Sequence, residues 1–108
     1  GLLYLQGNWS REPEFLELSG KEGWLSLVFT ASEVNLVMAG KGKVFVTIDG
    51  NALSQMQAGE NISFKDKNAV FAVDSPRMYR IFKSKKIETH DLKLTVAGKV
   101  RAFAFTFG

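Results

Sequence analysis

The chain has 108 residues, 45% of them apolar and 23% charged, with a formal net charge of +3 and no cysteine. This length and composition fit one ordinary globular domain, able to bury roughly 65% of its unfolded surface in a single core. They exclude disulfides, thiol catalysis and Cys-ligated metals within this chain, and no apolar run approaches the roughly 18 residues of a membrane-spanning helix.

The start at Gly1, without methionine and directly into Leu2-Leu3-Tyr4-Leu5, reads as a domain cut from a longer chain, any leader or anchor lying outside this segment. Helical periodicity is weak, while alternation and turn signals recur about every ten residues, as in an all-β sandwich. A first strand is expected from Leu2 to Gln6 and a second over Phe15-Leu16-Glu17-Leu18, stopped by Ser19-Gly20. Trp24 to Ala31 reads as a third, with Leu25, Leu27, Phe29 and Ala31 on one face. Val34 to Ala39 and Lys43 to Asp49 flank Gly40-Lys41-Gly42. Residues 52–67 are polar and the least patterned, a long loop with one short strand from Asn61 to Phe64. Ala69 to Val73, Met78 to Lys83, Thr89 to Ala97 and Val100 to Phe107 complete the strands. The lysines are scattered, except in Lys83-Ser84-Lys85-Lys86, which reads as a solvated loop; no nucleic-acid interface is expected.

Two hairpins are internally consistent. With Gly98-Lys99 as a two-residue loop, Leu94 faces Phe103, Leu92 faces Phe105 and His90 faces Phe107. With Gly40-Lys41-Gly42 as a three-residue loop, Met38 faces Val44, Leu36 faces Val46 and Val34 faces Ile48. Both registers put every apolar residue on one face, and a one-residue slip would expose each set. They predict an all-β, antiparallel two-sheet β-sandwich over residues 1–108, with Phe103, Phe105, Leu92 and Leu94 buried together.

Catalytic constellations are scarce. His90 is the one histidine and alternates in phase with Leu92 and Leu94, so it reads as structural; Asp91 points to the opposite face. Glu12, Glu14 and Glu17 around Pro13 read as a solvated strand edge rather than paired catalytic carboxylates. No nucleophile elbow, phosphate loop or His-x-x-x-His metal motif is present. Asp49-Gly50-Asn51 is a turn, and the oxygen cluster that calcium needs is not visible beside it. Asn8-Trp9-Ser10 and Asn61-Ile62-Ser63 fit a glycosylation sequon. The expectation is therefore no enzyme, no catalytic residue, no metal site and no cofactor.

Aromatic residues are what remains for recognition, because flat rings stack on the apolar faces of sugars. Trp9, Trp24, Tyr4, Tyr79 and Phe45 are candidates; Trp24 opposes Leu25 in phase, and Phe45 opposes Val44 and Val46. Arg80 alternates against Tyr79 and Ile81. The candidate ligand set is Trp24, Phe45 and Tyr79 for stacking, with Arg80, Asn35 and Glu33 taking hydroxyls.

Read end to end, the chain resembles the C-terminal domain of DipZ-like proteins. The stretches that carry the resemblance are Leu5-Gln6-Gly7-Asn8-Trp9, Val34-Asn35-Leu36-Val37, Val44-Phe45-Val46-Thr47-Ile48-Asp49-Gly50, Met78-Tyr79-Arg80-Ile81, His90-Asp91-Leu92-Lys93-Leu94 and Ala102-Phe103-Ala104-Phe105-Thr106-Phe107-Gly108. In that family a cytochrome c biogenesis-type membrane segment and a thioredoxin-like domain precede a β-sandwich similar to a carbohydrate-binding module. The resemblance implies a jelly-roll-like (galactose-binding-like) fold, an extracytoplasmic location in the periplasm or cell envelope, and an upstream thioredoxin-like partner domain. It implies no redox activity in this chain, which has no Cys-x-x-Cys, and no direct membrane insertion by this segment. Two functions follow: a noncatalytic module binding a cell-envelope glycan, or a scaffold that docks the neighbouring thioredoxin-like domain. An exposed aromatic with polar neighbours in a groove distinguishes the first; an exposed apolar patch without them distinguishes the second.

Overall fold

The computed structural model describes residues 3–108 and contains eight antiparallel strands and no helix. They are β1 (Leu3–Gln6), β2 (Trp9–Arg11), β3 (Leu16–Leu18), β4 (Glu22–Ile48), β5 (Asn51–Ala52), β6 (Ser63–Lys65), β7 (Asn68–Val73) and β8 (Arg77–Phe107). The expected start of the first strand at Leu2 lies outside the described residues. β2, around Trp9, was not expected; it is held as the outermost strand by pairing with β3.

β4 and β8 dominate the architecture. At about 3.3 Å per residue, their 27 and 31 residues would stretch to roughly 90 and 100 Å, yet the longest dimension of the molecule is 35 Å. Both strands must therefore bend and cross the molecule repeatedly. Residues 22–31 of β4 pair with 88–97 of β8, and 33–38 pair with 77–83; then residues 34–48 of β4 pair on their other side with 92–107. One sheet thus runs β1, 22–31, 88–97, 43–48, β7, β6. The other runs 77–83, 33–38, 101–107, β3, β2. The result is an all-β, antiparallel sandwich of the expected jelly-roll-like class, whose two sheets share their longest strands.

The two expected hairpins do not form. Gly40-Lys41-Gly42 and Gly98-Lys99 are not turns but lie opposite each other, with Gly40 across from Val100, Lys41 from Lys99 and Gly42 from Gly98. This is where β4 and β8 pass together from one sheet to the other. At Gly40-Lys41-Gly42 alternation does not separate the two arrangements, because the buried positions 34, 36, 38, 44, 46 and 48 keep one parity straight through the glycines; at Gly98-Lys99 it does, since the through-running strand buries Val100 and Ala102 in place of Phe103. Leu94 meets Leu25 and Val46, and Leu92 meets Leu27 and Ile48. The glycines are required by backbone proximity. Gly98 has φ +113, and a Cβ there would lie 2.6 Å from the Lys41 carbonyl oxygen; Gly40 has φ +103, and its Cβ would collide with the Lys99 carbonyl.

The core lies between the sheets. Leu25, Phe29, Val46 and Leu94 come from one side and Val34, Leu36, Met38 and Ile81 from the other, all buried. Phe103 departs from expectation: it is 37% exposed. Ala102 faces Met38 and Ala104 faces Val37, so Phe103 is the extra residue of a β-bulge. It turns outward onto Phe15, with ring centroids 5.3 Å apart. Past the bulge the parity is reversed, and Phe105, opposite Leu36, packs half-buried against the core.

Gly98→Ala and Gly98→Asn should each lower stability by about 1–3 kcal/mol in denaturant melts, through strain at the crossing. A two-residue hairpin turn accepts asparagine, so an unchanged melt for Gly98→Asn would contradict the through-running strands.

Candidate functional site

The six residues expected to bind a ligand fall in three places. Trp24 and Phe45 lie on the outer face of the first sheet, as their alternation against buried neighbours requires. They share a cross-strand row that runs Gln6, Trp24, Thr95, Phe45, Val70, Ser63. Two strand spacings separate Trp24 from Phe45, about 10 Å. Phe45 is 39% exposed and Trp24 is half-buried. The Lys93 ammonium sits over the Trp24 ring, 4.7 Å from its centroid, in a cation–π contact. Beside Phe45, toward the β6–β7 edge, opens a groove of about 580 Å³ lined by Lys43, Phe45, Phe64, Lys65, Asp66 and Asn68. Asp66 and Lys67 both have positive φ, 51 and 67, and make the two-residue turn that joins β6 to β7 and sets the rim of the groove.

Glu33, Asn35 and Arg80 lie on the outer face of the second sheet, across the core from the aromatic row. Asn35 is the register partner of both Arg80 and Thr106. Arg80 Nη1 donates to Glu33 Oε1 at 2.9 Å, and Asn35 Nδ2 donates to Thr106 Oγ1 at 3.3 Å and to Glu33 Oε1 at 3.5 Å. Asn35 is buried, with its Oδ1 unpartnered among the described residues. A shallow groove of about 340 Å³ runs past Glu33, Glu60, Arg80 and Lys83. Apart from Asn35 Oδ1, the polar groups of Glu33, Asn35 and Arg80 bond to one another or to Thr106 and lie across the core from the aromatic row, so the two halves of the expected set do not form one site.

Tyr79 is a correction: it is a core residue, 2% exposed, stacked on Phe71 at 5.3 Å. Its hydroxyl donates to the Ser75 carbonyl at 2.7 Å and accepts from the Asp74 amide at 3.2 Å, which satisfies the buried phenol. The signal was present in its phase, since Tyr79 alternates with Ile81 against Arg80. Trp9 is half-buried and donates through Nε1 to the Gln6 carbonyl at 2.9 Å. Tyr4 is 55% exposed and stands one row from Trp24. Lys43, Lys93 and Phe64 were missed, although Lys43 shares the outward parity of Phe45.

His90 is structural, as expected, but its strand partner is Phe29 rather than Phe107. Its ring packs on Phe29 and Phe82, and its nitrogens contact Asp49 Oδ2 at 2.5 Å and Glu88 Oε1 at 2.8 Å. Asp49 Oδ1 also accepts from the Asp91 amide, so the imidazole ties the turn after β4 to β8. The hydrogen bond to Glu88, and then the one to Asp49, raise the His90 pKa above its ordinary 6.5, against the opposing effect of burial. The Asp91 amide and His90 lower that of Asp49. Because the folded state favours the charged imidazole, its stabilisation is complete below about pH 6.5 and is lost as pH rises through the raised folded value. Denaturant melts should show stability falling over that window, and His90→Gln should flatten the fall; an equal fall in the variant would assign it to another group.

Known proteins extend the comparison. The sequence model of the family described as "Thioredoxin like C-terminal domain" matches residues 2–108. Among curated proteins none matches by sequence. Among solved structures, a family two carbohydrate esterase from Clostridium thermocellum, in complex with cellohexaose, superposes with a TM-score of 0.74 at 17% identity, covering 98% of this chain and 31% of that one. A family two carbohydrate esterase from Cellvibrio japonicus gives 0.65 at 13% identity, covering 97% of this chain and 31% of that one. At these identities the likeness is one of fold, and this chain spans about a third of the esterases' length.

Proposed function

The chain belongs to the thioredoxin-like C-terminal domain family, and from that premise we propose that it is a noncatalytic accessory module that binds a cell-envelope glycan. Its parent, in this reading, is a DipZ-like, extracytoplasmic thiol–disulfide oxidoreductase. With no cysteine of its own, the module contributes location rather than electrons, holding the thioredoxin-like domain near the envelope.

The observation that carries the proposal is the Trp24–Phe45 row beside the groove. An exposed ring with polar neighbours in a concave surface is what sugar recognition needs: the ring takes the apolar face of a pyranose, and a few placed polar groups take hydroxyls. Phe45 and Phe64 supply rings, while Ser63 and Asn68 reach the groove as hydroxyl partners. Affinity per sugar is low in such a site, because each hydroxyl bond replaces one to water and the open face covers only one side of the ligand. The esterase complex with cellohexaose supports β-linked oligosaccharides as first probes.

One feature favours the scaffold reading. Tyr4 and Val28, at 55% and 49% exposure, carry apolar surface past Trp24 at the end of the sheet away from the groove, where a neighbouring domain would cover it.

Isothermal titration with cell-wall oligosaccharides separates the two. Phe45→Ala should weaken binding at least tenfold, about 1.4 kcal/mol, with an unchanged melting temperature. Arg80→Ala, on the opposite face, should leave affinity as it was. Binding to the upstream thioredoxin-like domain, with none to any glycan, would replace the module reading with the scaffold.

A further inference from the structure

We infer that the glycan is acidic, its carboxylates meeting the lysines that flank the aromatic row, Lys43 on one side and Lys93 on the other. This rests on the module reading above and adds a ligand class to it.

The cations of this molecule are used in two ways. Arg80 pairs with Glu33, Arg101 with Glu17, and His90 with Asp49 and Glu88. No lysine enters an ion pair among the described residues, and Lys43, Lys65 and Lys93, all three exposed, are set apart by where they stand. They surround the aromatic row. Lys43 precedes Phe45 by two residues and so shares its outward face. Lys93 lies opposite both Ser26 and Thr47, diagonal to Phe45 and to Trp24. Lys65, opposite Asn68, lines the groove.

Acidic groups do not offset them evenly. Glu22 shares the row of Lys43, but two strands away, opposite Ala97. Asp66 is at the groove's far turn, and Asp91 faces Val28, one row beyond Lys93. In the two rows that flank the aromatics, three lysines face one glutamate. The cation–π contact also keeps the Lys93 ammonium above the Trp24 ring instead of free in solvent. A sugar stacked on Phe45 would therefore carry its substituents past the Lys93 ammonium over Trp24 on one side and past Lys43 on the other. A uronic acid or a lactyl-bearing amino sugar supplies the complementary charge, and a neutral sugar leaves it unused.

The test compares two hexasaccharides on the intact domain by titration, a neutral β-linked glucan and a β-linked oligouronate, with polyglutamate as a charge control. The oligouronate should bind about five- to tenfold tighter at low ionic strength, and the preference should shrink as salt screens the ammonium groups. Lys43→Gln and Lys93→Gln should each reduce that ratio, and Lys85→Gln, on the connection between the sheets, should preserve it. Equal affinity for the two hexasaccharides, or an unaltered ratio in both lysine variants, overturns the inference and leaves the module reading standing. Polyglutamate binding as tightly as the oligouronate overturns it in favour of general polyanion binding. No binding of either hexasaccharide removes both readings together.

Discussion

The close approach of β4 and β8 at Gly40, Gly42 and Gly98 is the constraint on which the rest of the molecule depends. Two strands can pass from one sheet to the other side by side only if their backbones come nearer than a Cβ permits. Because they do, each long strand serves both layers, and each pairs with two stretches of the other. The sandwich is then one continuous hydrogen-bonded ladder folded upon itself. Its core needs no separate joint between sheets, since Val44, Val46, Leu94 and Val96 continue into Val34, Leu36, Met38 and Val100 along the same chains.

The recognition face follows from that arrangement. Trp24 lies near the start of β4 and Phe45 near its end, 21 positions apart in sequence. They become neighbours only because residues 92–97 of β8 pair with both passes of β4 and bring Thr95 between them. The same folding sends Asn35 and Glu33, from the middle of β4, to the opposite side. A binding surface and a polar surface are thus divided by which pass of one strand each residue belongs to.

Much of this was legible in the residues. Alternation identified nearly every strand, and the phase of Trp24 and Phe45 against their neighbours correctly turned both outward. What alternation cannot encode is connectivity. A three-residue hairpin at Gly40-Lys41-Gly42 and a straight strand through it bury the same side chains, so internal agreement of register does not discriminate between them there; at Gly98-Lys99 the hairpin buries Phe103 and Phe105, whereas the through-running strand buries Val100 and Ala102. Parity also changes where a ladder is irregular, at the shift between Ala31 and Glu33 and at the Phe103 bulge. Neither site carries a local marker; Phe103 is expected inside only in the hairpin register, and the through-running strand turns it out next to the buried Ala102. Tyr79 shows the converse: grouped with Trp24 and Phe45 as an aromatic out of phase with the core, it alternates with Ile81 against Arg80, which places it inside.

The aromatic row of the first sheet is the central functional claim, and amide chemical-shift mapping of the intact domain with a cell-wall oligosaccharide tests it most directly. The account predicts perturbations that follow the cross-strand row from Gln6 through Trp24, Thr95 and Phe45 to Val70 and Ser63, with the Asn35–Arg80 face silent. Perturbations concentrated at Glu33, Asn35 and Arg80, with Trp24 and Phe45 unmoved, would contradict it.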